Sequence, residues 1–183
     1  NVMPKGGAWK WAQAICEFSN NLTEEVADID AMLSDHDTEI SVIAKVVNTY
    51  QAMLDEENLI DFSAIQTECY RLLKENKDIL EDLRKSIKYI MVDEYQDTNY
   101  IQEQIIFLLG THENICVVGD DDQGLYRFRG ATIRNILEFP SKFDVGKCQI
   151  IPLVINYRSD SDIVDFYNEW MATTDGAKFK FRW

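Results

Sequence analysis

The sequence predicts an α/β fold: a parallel sheet flanked by helices, with a helical subdomain in front of it. Three short apolar runs, "YIMV" (89–92), "ICVV" (115–118) and "IIPLVI" (150–155), alternate with amphipathic segments. That alternation is the order of parallel strands joined by crossover helices. The runs are also too apolar for either face of a strand to meet water, as in a sheet covered on both sides. Before Tyr89 the apolar residues fall at helical spacing instead.

Taken in order, "KWAQAICEF" places Trp11, Ile15 and Phe18 on one helix face. "TEISVIAKVVNTYQAML" does the same with Ile40, Ile43, Val47, Tyr50 and Leu54, behind Asp37 as N-cap. The acidic stretch "TEEVADID" between them reads as solvated surface. A third helix begins near Asp61, with Phe62, Ile65, Cys69, Leu72 and Leu73 as its stripe, and "KDILEDLRKSI" is a short helix leading into the first strand. "NYIQEQIIFLLG" predicts a crossover helix capped by Thr98 and stopped at Gly110. "ATIRNILEF" is a short helix ended by Pro140, and "SDSDIVDFYNEWM" a last one capped by Ser159, with Asp162 three residues on.

A length of 183 residues suits one domain, or one domain with a smaller subdomain. Hydrophobic residues at 46% and charged ones at 27% describe a soluble globular chain. No apolar run approaches the roughly 20 residues that cross a bilayer, and no signal-peptide pattern opens the chain. The first residue is Asn1, which suits a piece of a longer protein. Cys16, Cys69, Cys116 and Cys148 are scattered, which argues against zinc and for a reducing, cytoplasmic setting. Cys116, inside an apolar run, reads as a small core residue. The formal net charge of −14 argues against nucleic-acid binding by the chain as a whole. Any DNA contact must come from local residues or from other parts of a larger protein.

In parallel sheets ligands bind beyond the carboxyl ends of the strands, and a polar cluster follows each apolar run. After the first come Asp93, Glu94, Gln96 and Asp97. Carboxylates crowded at a strand end are costly unless a strong positive charge belongs there. A strand followed by Asp-Glu is the pattern that holds Mg²⁺ beside nucleotide phosphates, with the second carboxylate placed to take a proton from water. After the second run comes "GDDDQGLYRFRGA". Gly119 permits a sharp turn, and Gln123 offers an amide to a phosphate oxygen or a water. Tyr126 and Phe128 alternate with Arg127 and Arg129, a combination that holds unpaired bases and their backbone. Two packed aromatics on a core strand would look the same in isolation. After the third comes "NYRSD", where Arg158 is placed to reach a terminal phosphate and Tyr157 offers a ring. In isolation an Arg there simply forms a surface ion pair.

Together, "VDEYQDTN", "GDDDQGLYRFRGA" and "NYRSDSDIVDF" resemble the successive motifs of superfamily 1 DNA helicases of the UvrD, Rep and PcrA type. The resemblance is good over residues 59–171 and vague over 1–58. It implies a partial RecA-like sheet of the phosphate-binding-loop NTPase type, with residues 1–58 part of a helical insertion and 59–183 the latter part of the first motor domain. It further implies ATP and Mg²⁺, with Asp93 as metal ligand and Glu94 activating the hydrolytic water. Gln96 and Asp97 would couple the nucleotide site to its neighbour, Gln123 would sense the terminal phosphate, Arg158 would contact it, and Tyr157 would stack on adenine. Tyr126, Phe128 and Arg129 would line a single-strand path. Partners would be single-stranded and duplex DNA, engaged through the full-length parent and its remaining domains, with three-prime to five-prime movement.

The pattern breaks in places. No G-x-x-x-x-G-K-[ST] occurs in the 183 residues, nor an adenine-recognising glutamine segment, nor a second motor domain. Gly124 stands where the family often has serine, and Phe128 where tryptophan is frequent. The expectation is therefore an internal helicase fragment that, alone, binds Mg·ATP weakly or not at all and does not unwind DNA. Alternatives are a stand-alone nucleic-acid or protein interaction module that lost the motor, and the motor segment of a helicase–nuclease. A non-helicase ATPase leaves the aromatic–arginine run unexplained.

Overall fold

The fold is described from a computed structural model over residues 7–110, 114–124 and 133–172. The chain divides into two compact units, Asn1–Phe143 and Asp144–Trp183.

In the first unit α1 (Ala8–Glu24), α2 (Ile29–Leu33) and α3 (Thr38–Glu56) form the helical lead. Asp37 caps α3 as predicted, accepting from Glu39 N at 2.8 Å. Ala44 and Val47 are fully buried on α3. Next come α4 (Phe62–Glu75) and α5 (Lys77–Ser86). Asp61 caps α4 through Ala64 N at 2.7 Å and accepts the Tyr50 hydroxyl at 3.1 Å, joining α3 to the start of α4. Burial and the neighbouring Asp61 carboxylate push the Tyr50 phenol up to about 12. Helix α1 packs on α4, where the Ser63 hydroxyl donates to Asn20 Oδ1 at 3.0 Å and the Thr67 hydroxyl to the Thr23 carbonyl at 3.3 Å. The "TEEVADID" stretch is not all solvated surface. Glu24 is half-buried, and one of its oxygens lies buried with no partner among the described residues.

The sheet comprises β1 (Ile90–Val92) and β2 (Ile115–Val117), parallel and joined through α6 (Tyr100–Leu109). Its register pairs Met91 with Cys116, and these two side chains are exposed while Ile90, Val92, Ile115 and Val117 are half-covered. Cys116 is therefore not a core residue. The expected burial on both faces is met on one only, because alternate residues of a strand point to opposite faces. The third expected strand, 150–155, is not formed: these residues carry no ladder and are exposed. Apolar and β-branched composition alone does not make a strand without a partner to hydrogen-bond.

The cap of α6 is Asn99, not Thr98, in a reciprocal capping box with Gln102. Gly110 ends α6 in extended backbone, not a left-handed turn, and a Cβ there would lie 2.5 Å from the Ile115 side chain. Helix α7 (Arg134–Glu138) ends just ahead of Pro140, as expected. It tightens into a 3₁₀ turn, Phe139–Lys142, with the proline near its start, where a missing N–H goes unnoticed. Phe139 packs edge-on against Tyr95 (centroids 5.3 Å apart), geometry that aromatic quadrupoles favour, and at a tilt against Phe143 (4.9 Å).

The second unit carries α8 (Ser161–Ala172). Asp160, not Ser159, caps it, with Oδ1 accepting from Asp162 N at 3.0 Å.

Candidate active site

The site grows from the junction of β1 and β2. The Val118 amide donates to the Val92 carbonyl (2.8 Å) and the Tyr95 amide to the Val118 carbonyl (2.9 Å), so parallel pairing continues past both strand ends. This stitching throws Asp93 and Glu94 outward, and both are exposed. Glu94 adopts the left-handed conformation, φ 49° and ψ 44°, which disfavours a non-glycine residue by roughly 1–2 kcal/mol. A residue held in such backbone by its surroundings is what functional turns show. The Asp93 carboxylate accepts from the Glu94 amide at 2.9 Å, which braces the turn.

Gln96 is 2% exposed and links the two strand ends. Its Nε2 donates to Glu94 Oε2 at 2.7 Å, and its Oε1 accepts from the Asp120 amide at 3.1 Å. Asp120 in turn accepts from Gln123 Nε2 at 2.7 Å and from the Asp122 amide at 3.0 Å. Asp93, Glu94, Gln96 and Gln123 are thus brought into one hydrogen-bonded chain. Gly119 has a steric reason rather than the expected one. A Cβ at this position would lie 2.5 Å from Gln96 Oε1, 2.7 Å from Ile136 Cδ1 and 3.2 Å from the Tyr95 amide. The glycine is required by close approach.

Asp97 lies on the 3₁₀ turn Tyr95–Asp97 and has one buried oxygen with no partner among the described residues. Beneath the turn, the Tyr95 hydroxyl donates to Glu103 Oε1 at 3.0 Å, and Lys142 pairs with the other Glu103 oxygen. Burial, then the Glu103 charge, pushes the Tyr95 phenol far above its ordinary range, so it stays a donor.

Tyr126, Phe128 and Arg129 lie outside the described residues. Tyr157 and Arg158 belong to the second unit, where Asn156 Oδ1 accepts from the Arg158 and Ser159 amides at 2.9 and 3.0 Å. Tyr157 is 90% exposed, and the Arg158 guanidinium has no ion pair among the described residues, so the ordinary surface salt bridge is not formed there. The bridging Asp120 and the buried Glu103 went unassigned in the sequence. Asp120's place directly after a strand and a glycine was the available signal, whereas nothing local marked Glu103.

The fit to Mg²⁺ follows from the donor set. No group of three or more metal-binding side chains occurs among the described residues. Asp93 presents an exposed carboxylate with one oxygen held by the Glu94 amide. Mg²⁺ takes one or two carboxylates and completes its shell with water and phosphate oxygens, so a single outward Asp suits it.

A strand-end carboxylate pair, a left-handed turn and a buried glutamine bridging to a second strand end make up the site of an α/β fold. The comparisons specify it further. Residues 6–144 match the UvrD/REP helicase N-terminal domain. The chain is 34% identical over 180 residues to an ATP-dependent DNA helicase, UvrD1, of Mycobacterium tuberculosis, covering 94% of this chain and 23% of that protein. It is 34% identical over 178 residues to an ATP-dependent DNA helicase, PcrA, of Staphylococcus aureus, covering 90% of this chain and 24% of that protein. The chain belongs to the UvrD/REP helicase family, and its fold is the RecA-like fold of that family's N-terminal domain. It spans about a quarter of the length of the curated relatives it matches. Among the described residues no helix is long and apolar enough to cross a membrane.

Proposed function

We propose that this chain is a segment of the motor of an ATP-dependent DNA helicase, supplying the carboxylates and sensing amide that turn Mg·ATP hydrolysis into three-prime to five-prime movement along single-stranded DNA and duplex unwinding. Residues 1–58 belong to its helical insertion and 59–183 to the latter part of its first motor domain. The supporting observation is the grip on Glu94: a left-handed residue at a strand end whose carboxylate is held at 2.7 Å by the buried Gln96 amide. That contact leaves the second Glu94 oxygen as the proton acceptor for an attacking water. Asp93 would hold Mg²⁺, which when bound neutralises charge on the phosphates. Gln123, tied through Asp120 to Gln96, is placed to report the terminal phosphate to the same turn. Arg158 would contact that phosphate, and Tyr157, with its ring exposed, would stack on the base. Tyr126, Phe128 and Arg129 would hold the strand. The substrate's phosphate cradle is the G-x-x-x-x-G-K-[ST] loop, which these residues do not include, so the isolated chain is inactive.

Titrating Mg²⁺ against single-strand-stimulated ATP hydrolysis tests the assignment, in a helicase carrying this segment. Asp93→Asn should raise the Mg²⁺ concentration giving half-maximal rate by about tenfold or more. An unchanged Mg²⁺ dependence would remove Asp93 from the metal site.

A further inference from the structure

Beneath the carboxylate turn lies a charged group that no step of the proposed hydrolysis uses. Glu103, on α6, is 1% exposed and shared between two donors. Its Oε1 accepts the Tyr95 hydroxyl at 3.0 Å, and its other oxygen pairs with Lys142. The surroundings are aromatic. Lys142 Nζ lies 5.5 Å from the centre of the Phe107 ring, and that ring packs on Phe139 and Phe143, with centroids 6.0 Å apart in each case. An ion pair set among such rings contributes little to stability, because desolvation offsets the attraction and apolar side chains of similar volume serve as well. What the polar groups add is direction, since a hydrogen bond fixes distance and angle together.

The atom fixed here is the tip of Tyr95, the residue between Glu94 and Gln96. The Tyr95 main chain is tied as well, its amide donating to the Val118 carbonyl at 2.9 Å and its carbonyl accepting the Thr98 hydroxyl at 2.7 Å. Glu94, before it, holds left-handed backbone that a glutamate does not adopt unaided. Gln96, after it, grips the Glu94 carboxylate at 2.7 Å. Both neighbours inherit their placement from Tyr95.

We infer that Glu103 and Lys142 are positioning residues for ATP hydrolysis, anchoring the Tyr95 hydroxyl so that the Glu94 carboxylate is held where it takes the proton of the attacking water. Helix α6 supplies the acceptor, and the 3₁₀ turn after α7 supplies the cation that keeps it in place. Without them the Tyr95 ring still packs on Phe139, but the turn is free to rock about that contact. This rests on the proposed function, since it presumes a hydrolytic Glu94.

The test is ATP hydrolysis by a full-length helicase carrying this segment, with kcat and KM for ATP measured separately and melting temperature taken on the same preparations. The parent is compared with Tyr95→Phe and with a triple variant, Tyr95→Phe, Glu103→Met and Lys142→Met. The triple variant removes the polar groups together, so no buried charge is left unpaired. The inference expects kcat to fall about tenfold or more in both variants, with KM for ATP within about threefold of the parent. The triple variant should nevertheless melt within about 3 °C of the parent, or above it. A network that only supports the fold would cost rate and melting temperature together, and that result overturns the inference, as does a kcat within about threefold of the parent. Should the triple variant fail to fold, Tyr95→Phe, which keeps the ring, decides by the same kcat criterion. If Glu94→Gln in the same helicase leaves hydrolysis unchanged, the proposed function itself fails, an outcome distinct from a Glu94-dependent parent with an indifferent Tyr95 network.

Discussion

Gly119→Ala inserts one methyl group at the most crowded point of the site. The new carbon would lie 2.5 Å from Gln96 Oε1 and 2.7 Å from Ile136 Cδ1, and 3.2 Å from the Tyr95 amide. The backbone amide cannot yield cheaply, so the Gln96 side chain and Ile136 must move. Moving Gln96, which is 2% exposed, loosens its bonds to Glu94 Oε2 and the Asp120 amide. Each such bond is worth ~1 kcal/mol net, and more if a buried partner is left unpaired. Overpacking against Ile136 adds ~1–3 kcal/mol. The sum is about 3–5 kcal/mol, or ~6–20 °C in melting temperature for a chain of this size. Thermal unfolding of the 183-residue chain, followed by circular dichroism, measures it. A double-mutant cycle with Gln96→Ala locates the effect: deleting the amide makes room for the methyl, so the two costs should overlap by ~1 kcal/mol. A Gly119→Ala variant melting within ~2 °C of the parent would refute the close-approach account.

Other outcomes follow from buried charge. Lys142→Met strips the cation from Glu103, which is 1% exposed, and should lower unfolding free energy by about 3 kcal/mol in urea titrations; a loss below ~1 kcal/mol would show the pair to be dispensable. Burial raises the Glu24 carboxyl above its ordinary 4.5; Asn99 opposes the rise, and the charges of Glu25 and Asp61 add to it. The folded chain therefore binds that proton more tightly than the unfolded one, and stability falls as pH rises from the ordinary value through the raised one. Glu24→Gln should melt higher than the parent at neutral pH and converge with it near about pH 4; a gap that widened in acid would reverse the assignment.

Much of the site was legible because its motifs are local. Asp93, Glu94, Gln96 and Gln123 follow strands that the apolar runs announce, and the structure joins them through short side-chain bridges. Helices α1, α3 and α4 were equally readable, since helical period and caps such as Asp37 and Asp61 are local signals, whereas the five-residue α2 was too short to show a period. What escaped depends on partners distant in sequence. The run 150–155 has strand composition but no ladder. Thr98, read as a cap, is a junction: its hydroxyl turns to Tyr95 and receives Asn135, leaving the capping to Asn99. Glu103 sits on α6 as any exposed helical glutamate would, until Tyr95 and Lys142 close over it.

The central claim is that Glu94 activates the hydrolytic water, and single-strand-stimulated ATP hydrolysis by a helicase carrying Glu94→Gln in this segment tests it most directly. Glutamine preserves shape and the left-handed turn but cannot take a proton, so the rate should drop by ~10²–10⁴-fold while nucleotide binding persists. A rate within about threefold of the parent would contradict the account and place the general base elsewhere.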